Sequence, residues 1–392
     1  MIEQDTLLEK IEIANFLSLR HVEMPLKKLT VLVGPNASGK SNSLRALELL
    51  KKMMYAENPP ELDDIQSFMW AGRADNISFN LSVNVNKVST RYNIELAATE
   101  KGALIEELFV DNIKVIAVNN GNGKVCNEDG TEITDYRSAK PKLALKSAGD
   151  YGNKPITRAL TEFIRGWEFY DFEPNLMRGG NIFSRVFRGS QEGRKYLVEA
   201  PKLDDDGSTL QDILLFWARN DPNRFESVNQ ALEGCTKLGI EQRGTNGDVE
   251  LYLREGYQNP IPLRKASDGT IRLVAYYALL NMPNIPTLIA IEEPERNLHP
   301  AALKEIANVL EHLANRTQVI ITTHSSQLLD AFEPTSLSNE LSILLLRNSP
   351  GSGTEVLNLT KACKERESLN GWIEDFGIGS AIFNSGLFQE VN

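Results

Sequence analysis

An α/β protein built on a mostly parallel sheet is what these 392 residues predict, and three observations carry the prediction. Compact apolar runs, "KLTVLVG", "TLIAIEEPE", "QVIITTHS" and "LSILLLRN", read as strands buried on both faces. A helical stretch, "PAALKEIANVLEHLAN", lies between the second and third of them, an alternation that produces parallel neighbours. After the first strand stands "VLVGPNASGKSN", residues 31 to 42, with the spacing G-x-x-x-x-G-K-S of a loop that holds a phosphate chain.

Taken in order, "KIEIANF" alternates apolar and polar residues, and with "KLTVLVG" it reads as a strand pair feeding the glycine loop. The helix after the loop, "SNSLRALELLKKMM", sets Leu44, Leu47 and Leu50 on one face. From about 75 to 125 the pattern is an antiparallel β-meander lobe. In "NISFNLSVNV" the residues Ile77, Phe79, Leu81, Val83 and Val85 share a side, and "YNIELAA" and "IKVIAV" follow across turn-rich breaks. "CNEDGTEITDYRSAKPK" reads as polar surface.

Residues 155–235 read as a short helical insertion, with apolar positions three and four apart in "TRALTEFIRGW" and "TLQDILLFWARNDPNRFESVNQALEG". "LDDDGST" enters the second with Ser208 or Thr209 as its cap. "DVELYLREG" returns to strand. The expected organisation is a discontinuous core, 1–154 and 236–392, around that insertion. No heptad pattern is sustained, so no long coiled coil interrupts it.

Composition narrows the function. No apolar run approaches the roughly 18 residues that span a bilayer, and "MIEQDTLLEK" lacks the layout of a secretory signal. Cys126, Cys235 and Cys363 lie too far apart for a paired motif, so a cytoplasmic protein without a membrane partner is expected. A net charge of −11 argues against a global nucleic-acid footprint. The best local candidate for one is the run containing Arg178, Arg185, Arg188, Arg194 and Lys195, with a solvated loop as the competing reading.

Four segments carry chemistry. In the first, Gly34 and Gly39 let backbone N–H groups approach a phosphate, Lys40 adds a point charge and Ser41 can ligate Mg²⁺. With Pro35, Asn36, Ala37, Ser38 and Asn42 they form the expected nucleotide site. In "TLIAIEEPERNLHP" a buried strand delivers Glu292 and Glu293 at its carboxyl end, where open α/β sheets bind ligands. Glu292 is expected to hold Mg²⁺ through water, and Glu293 to orient and deprotonate an attacking water. "QVIITTHSSQLLDAF" places His324 at another strand end, within reach of a γ-phosphate; Ser325 beside it makes no nucleophile elbow. In "LRKASDGTIRLVAYYALL", Ser267, Asp268, Gly269 and Thr270 open a helix whose face carries Ile271, Val274, Ala275 and Leu279.

The order Lys40, Ser267, Glu293 and His324 resembles the head of an ABC-type ATPase of the RecF/SMC-like branch. Within that branch the chain is similar to stand-alone AAA-family ATP-binding proteins related to the ATPase domain of OLD-family nucleases. "YDFEPNLMR", "LDDDGSTLQDIL", "SDGTIR" and "EEPERNLHP" carry the likeness over nearly the whole chain. It implies a P-loop NTPase with ATP and Mg²⁺ as cofactors, and Glu293 and His324 as catalytic residues. It also implies a homodimer, open to higher oligomers, in which Ser267, Asp268 and Gly269 of one subunit complete the other's ATP site. Asp268 stands where the transporter signature has glycine, and Ala266 where it has leucine. Gln66 is the candidate Mg²⁺-sensing glutamine, a plain surface glutamine being the alternative. The stretch after His324 is too short for a nuclease domain of the OLD type and lacks its clustered acids. The implied role is an ATPase controlling a separately encoded nuclease or toxin in bacterial anti-phage defence, with a RecF-like DNA-repair ATPase as the alternative.

Overall fold

The computed structural model describes residues 6–57, 60–70, 76–97, 104–138, 142–150, 152–179, 201–244, 250–254, 259–338, 340–349 and 351–387. The chain opens with β1 (Thr6–Phe16) and β2 (Leu19–Pro25), an antiparallel pair joined by a tight turn in which Leu17 takes a left-handed φ of 48°. Next come β3 (Leu29–Val33) and, directly after the glycine loop, α1 (Lys40–Tyr55) and α2 (Leu62–Phe68). The meander is β4 (Asn76–Val85), β5 (Val88–Ala97), β6 (Leu104–Val110), β7 (Ile113–Asn119), β8 (Asn122–Val125) and β9 (Thr134–Arg137). α3 (Leu145–Ala148) and α4 (Pro155–Arg165) lead to β10 (Trp167–Tyr170), followed by α5 (Pro174–Arg178), α6 (Leu210–Asn220) and α7 (Pro222–Thr236).

The second half holds the hairpin strands β11 (Gly239–Arg243), β12 (Glu250–Arg254) and β13 (Ile261–Pro262), then α8 (Asp268–Leu280). β14 (Leu288–Glu292), α9 (Pro300–Ala314), β15 (Gln318–Thr323) and α10 (Ser326–Asp330) alternate as expected. β16 (Leu341–Ser349), β17 (Gly353–Asn358), α11 (Leu359–Glu365), α12 (Glu367–Phe376) and α13 (Ile378–Asn384) finish the fold.

Two large sheets result. The six-stranded sheet has the order β10-β14-β15-β3-β16-β17, parallel except for β17. The eight-stranded sheet, β2-β1-β4-β5-β6-β7-β8-β9, is antiparallel throughout. Apolar pattern explains the difference. In β4 every second residue, Ile77 to Val85, is buried, so one face is covered. In the parallel sheet both faces are covered: Val31, Ile289 and Ile321 enter one core with α8 and α9, while Leu32, Ala290 and Ile320 enter a second with α1 and the meander. That two-sided burial is why these strands read as unbroken apolar runs.

Three expectations change. "KIEIANF" and "KLTVLVG" are not partners: β1 pairs with β2 and β4, and β3 lies between β15 and β16 in the other sheet. The stretch 155–235 is not wholly helical, because β10 within it forms an edge of the parallel sheet against β14. Thr209 occupies the N-cap position of α6, but its hydroxyl donates to the carbonyl of Lys202 (2.7 Å) and accepts from the Asp204 N–H (3.0 Å) rather than capping the helix.

Candidate nucleotide-binding site

Three strands set the geometry. β14, β15 and β3 are parallel neighbours, with Glu292 opposite Thr322 and Thr323 opposite Val33. Their carboxyl ends therefore bring the glycine loop, Glu292-Glu293 and Thr323-His324 to one edge of the sheet.

The loop is tightly braced. Gly39 adopts φ 106°, and a Cβ there would lie 2.3 Å from Thr354 Oγ1. Thr354 shares a hydrogen bond with Ser18 Oγ (2.9 Å), which accepts from Asn42 Nδ2 (2.9 Å). Asn348 Nδ2 donates to the Ala37 carbonyl (3.2 Å). The β1–β2 turn and the β16–β17 hairpin thus hold the loop from outside. Inside, buried Lys40 donates to the carbonyls of Gly34 (2.7 Å) and Pro35 (3.0 Å). Burial lowers the pKa of its ammonium, against the pull of Glu293, Glu295 and Glu292. The hydroxyl of Ser38 is buried and has no partner among the described residues.

Ser41 Oγ donates directly to Glu292 Oε1. A hydroxyl and a carboxylate side by side at a phosphate loop are hard oxygen donors of the kind Mg²⁺ takes, so the residues fit that ion.

Glu293 sits at the strand end with φ 42°, a left-handed conformation unusual for a side chain of its size. Two hydrogen bonds from its N–H, to the carbonyl (3.1 Å) and the hydroxyl (3.2 Å) of Thr322, hold it there. Its Oε1 faces His324 Nδ1 at 3.0 Å, and Oε2 accepts from Arg296 Nε (3.3 Å) and Nη2 (3.2 Å). Burial raises its pKa, but His324 and Arg296 outweigh burial and leave the carboxyl below its ordinary value. A carboxylate kept ionised and aimed by an imidazole and a guanidinium can serve as an acceptor for a water proton.

Sequence reading missed the groups behind this pair. Arg296 also bonds Asp171 at the end of β10 (3.1 Å). Asp171 became a neighbour only through the pairing of β10 with β14, which no local pattern announces. Glu295 is buried, takes a 2.5 Å hydrogen bond from Thr323 Oγ1, and keeps Oε2 without a partner among the described residues. Burial pushes its pKa up. Its place three residues after Glu292 in "EEPERNLHP" was the signal that could have found it.

Ser267 lies elsewhere, at the start of α8, where its Oγ accepts from Thr270 N (3.2 Å) and the residue is exposed. Among the described residues no hydrogen bond or ion pair joins it to Lys40. Gln66 is exposed on α2, and its side chain has no hydrogen-bond partner among the described residues; none is formed with Ser41 or Glu292. Of the basic run, Arg178 closes α5, while Arg185, Arg188, Arg194 and Lys195 lie outside the described residues.

A family model described as "AAA domain, putative AbiEii toxin, Type IV TA system" matches residues 29–330, from β3 through the His324 segment. The chain belongs to this family. Among curated relatives of the AAA-domain chain, the Old nuclease of Escherichia phage P2 is 23% identical over 83% of this chain and 57% of its own. The lipoprotein-releasing system ATP-binding protein LolD of Nitrobacter winogradskyi is 25% identical over 35% of this chain and 53% of its own. The chain thus spans about half the length of each. Among solved structures, an SmcHead bound to the C-winged helix domain of ScpA superposes with TM-score 0.52 at 15% identity, covering 91% of this chain and 99% of that one. An Smc head domain from Pyrococcus furiosus with an extended coiled coil gives 0.51 at 14%, covering 93% and 99%. The fold is therefore that of a P-loop ATPase head of the ABC/SMC type, and the chain is distantly related to the OLD nucleases. Among the described residues no helix is long and apolar enough to cross a membrane.

Proposed function

We propose that this protein binds and hydrolyses ATP as a dimeric switch that controls a separately encoded effector. The observation that carries the chemistry is the convergence of Lys40, the Ser41–Glu292 contact and the Glu293–His324 pair at adjoining strand ends. Lys40 and the loop N–H groups would cradle the phosphates, with the N-terminus of α1 adding its positive dipole end. Ser41 and Glu292 would hold Mg²⁺, which when bound neutralises charge on phosphate oxygens. Glu293 accepts the proton of the attacking water, and His324, whose Nε2 makes no hydrogen bond among the described residues, is available to the γ-phosphate.

The dimer follows from what one chain lacks. Ser267 is exposed, and among the described residues no hydrogen bond joins its segment to Lys40, so in this reading a second copy presents it to the nucleotide. ATP held between two copies shifts an open–closed equilibrium by its differential affinity, and that shift is the signal an effector would read. The family's description names a toxin of a toxin–antitoxin system, and the phage P2 relative is a nuclease, which supports a defence setting for the effector. The testing experiment pairs two variants. Lys40→Ala should lose ATP binding, and Glu293→Gln should bind ATP yet turn over about a hundredfold more slowly, the scale of a lost general base. Normal turnover by Glu293→Gln would overturn the assignment.

A further inference from the structure

The start of α8, behind exposed Ser267, is held in place by a residue the site itself does not contain. Asp268, the second residue of the Ser267-Asp268-Gly269 segment, accepts through Oδ1 from Arg178 Nη2 and through Oδ2 from Asn297 Nδ2 (3.2 Å). Arg178 Nε also donates to the carbonyl of Ala266 (3.0 Å), immediately before Ser267. One guanidinium therefore grips the segment at both sides of its serine, which suits the planar fork of arginine and not the single point charge of lysine.

Arg178 is itself set up for this. Asn175 Oδ1 accepts from its Nη1 (3.3 Å), and Gln211 on α6 donates to the carbonyls of Met177 (2.9 Å) and Arg178 (3.2 Å). Met177 is fully buried, which anchors the short helix carrying Arg178. On the opposite side, Asn297 belongs to the turn that follows Glu293, and a Cβ on Gly269 would come within 2.9 Å of its carbonyl. The serine segment is thus wedged between a helix of the 155–235 stretch and the turn after the acidic pair.

We propose that Arg178 is a positioning residue for the composite ATP site: it fixes the Ser267 segment that one subunit offers to the nucleotide of the other. This rests on the dimeric reading above. A side chain that grips Ala266 and Asp268, on either side of Ser267, acts on the site of the opposite subunit and leaves its own phosphate loop untouched, since that loop is built from β3, α1 and their braces. An error of about 1 Å in placing a group at a reacting centre costs on the order of a hundredfold in rate, so loss of this grip should be visible in turnover.

The experiment is complementation between subunits. Arg178→Ala should bind ATP as the parent protein does, and its turnover alone should fall by about tenfold or more. Mixed with Lys40→Ala, which keeps an intact Ser267 segment but a dead loop, it should regain activity well above the sum of the two proteins assayed apart. Ser267→Arg with Lys40→Ala is the reference mixture. Recovery in the reference mixture, with recovery for neither Arg178→Ala nor Asp268→Asn, would overturn the inference and leave the dimer standing. No recovery in either would overturn both. Asp268→Asn removes the same pair from the other end and should complement in the same way, guarding against a folding defect peculiar to Arg178→Ala; failure of both variants to complement while Ser267→Arg succeeds rejects the role.

Discussion

At Glu293 and Gly39 the backbone, more than the side chain, shows how much the site demands. Both residues take positive φ, one with a full side chain and one with none, and each is held by specific neighbours. Glu293 is locked by Thr322 through carbonyl and hydroxyl together. Gly39 leaves no room at all: Thr354 Oγ1 would stand 2.3 Å from an added Cβ. A left-handed L-residue costs about 1–2 kcal/mol before any clash is counted. Gly39→Ala should therefore weaken ATP binding by about tenfold or more, as the loop shifts to relieve both strains. Isothermal titration with ATP–Mg²⁺ checks this, and an unchanged affinity would mean that the loop and the β16–β17 hairpin are not rigidly joined. The glycines of the loop were legible from spacing alone. Thr354, more than three hundred residues away in sequence, was not.

Between elements, a second buried carboxylate ties the meander to the helices beside it. Glu106 on β6 is fully buried and accepts from Tyr92 Oη (2.7 Å), the Leu145 N–H (2.8 Å) and the Ala144 N–H. It thus fastens the entrance of α3 to the sheet. Burial pushes its pKa up to about 7, against the lowering effect of those three donors. The sign of the consequence follows from comparing the two states. The unfolded chain releases this proton near the ordinary value of 4.5, while the folded protein keeps it to about 7. Stability contributed by protonated Glu106 is whole below the lower value, declines between the two, and is gone above the higher. Glu106→Gln carries no such proton. Melting curves of parent and variant should diverge between about pH 5 and about pH 8, the parent losing up to about 3 kcal/mol relative to the variant. Parallel pH profiles would show that Glu106 is ionised throughout. In the sequence Glu106 reads as one polar position in "LIEELFV"; that its side faces inward was decided by the partners of β6, not by its own alternation.

For the whole molecule, the two sheets and their two cores divide the labour. The parallel sheet carries the acidic pair and the glycine loop at one edge, and α8 packs into one of its cores behind an exposed Ser267. On the proposed reading, such a molecule offers its phosphate loop to one nucleotide and its Ser267 segment to another. Mixing Lys40→Ala with Ser267→Arg subunits should restore part of the turnover that each lacks alone, because one intact site forms in each mixed dimer. Absence of recovery at every mixing ratio would mean that each chain completes its own site. The same experiment supplies the reference against which Arg178 is judged.

The sequence by itself determined the local matters. Two-sided burial produces unbroken apolar strands, one-sided burial produces alternation, and a phosphate loop needs glycine, lysine and serine at set intervals, so both sheet types and the glycine loop between β3 and α1 could be read in one pass. The cap role of Ser267 was equally legible, since a serine before an apolar helix satisfies free N–H groups wherever it occurs. Tertiary structure alone decided who meets whom. It moved "KIEIANF" into the antiparallel sheet, drew β10 out of an apparently helical stretch, and set Asp171, Arg296, Glu295 and Arg178 around residues far from them in the chain. Pairing across such distances depends on which strand edges and faces are left open once every local element has formed, and no stretch of the chain records that about itself.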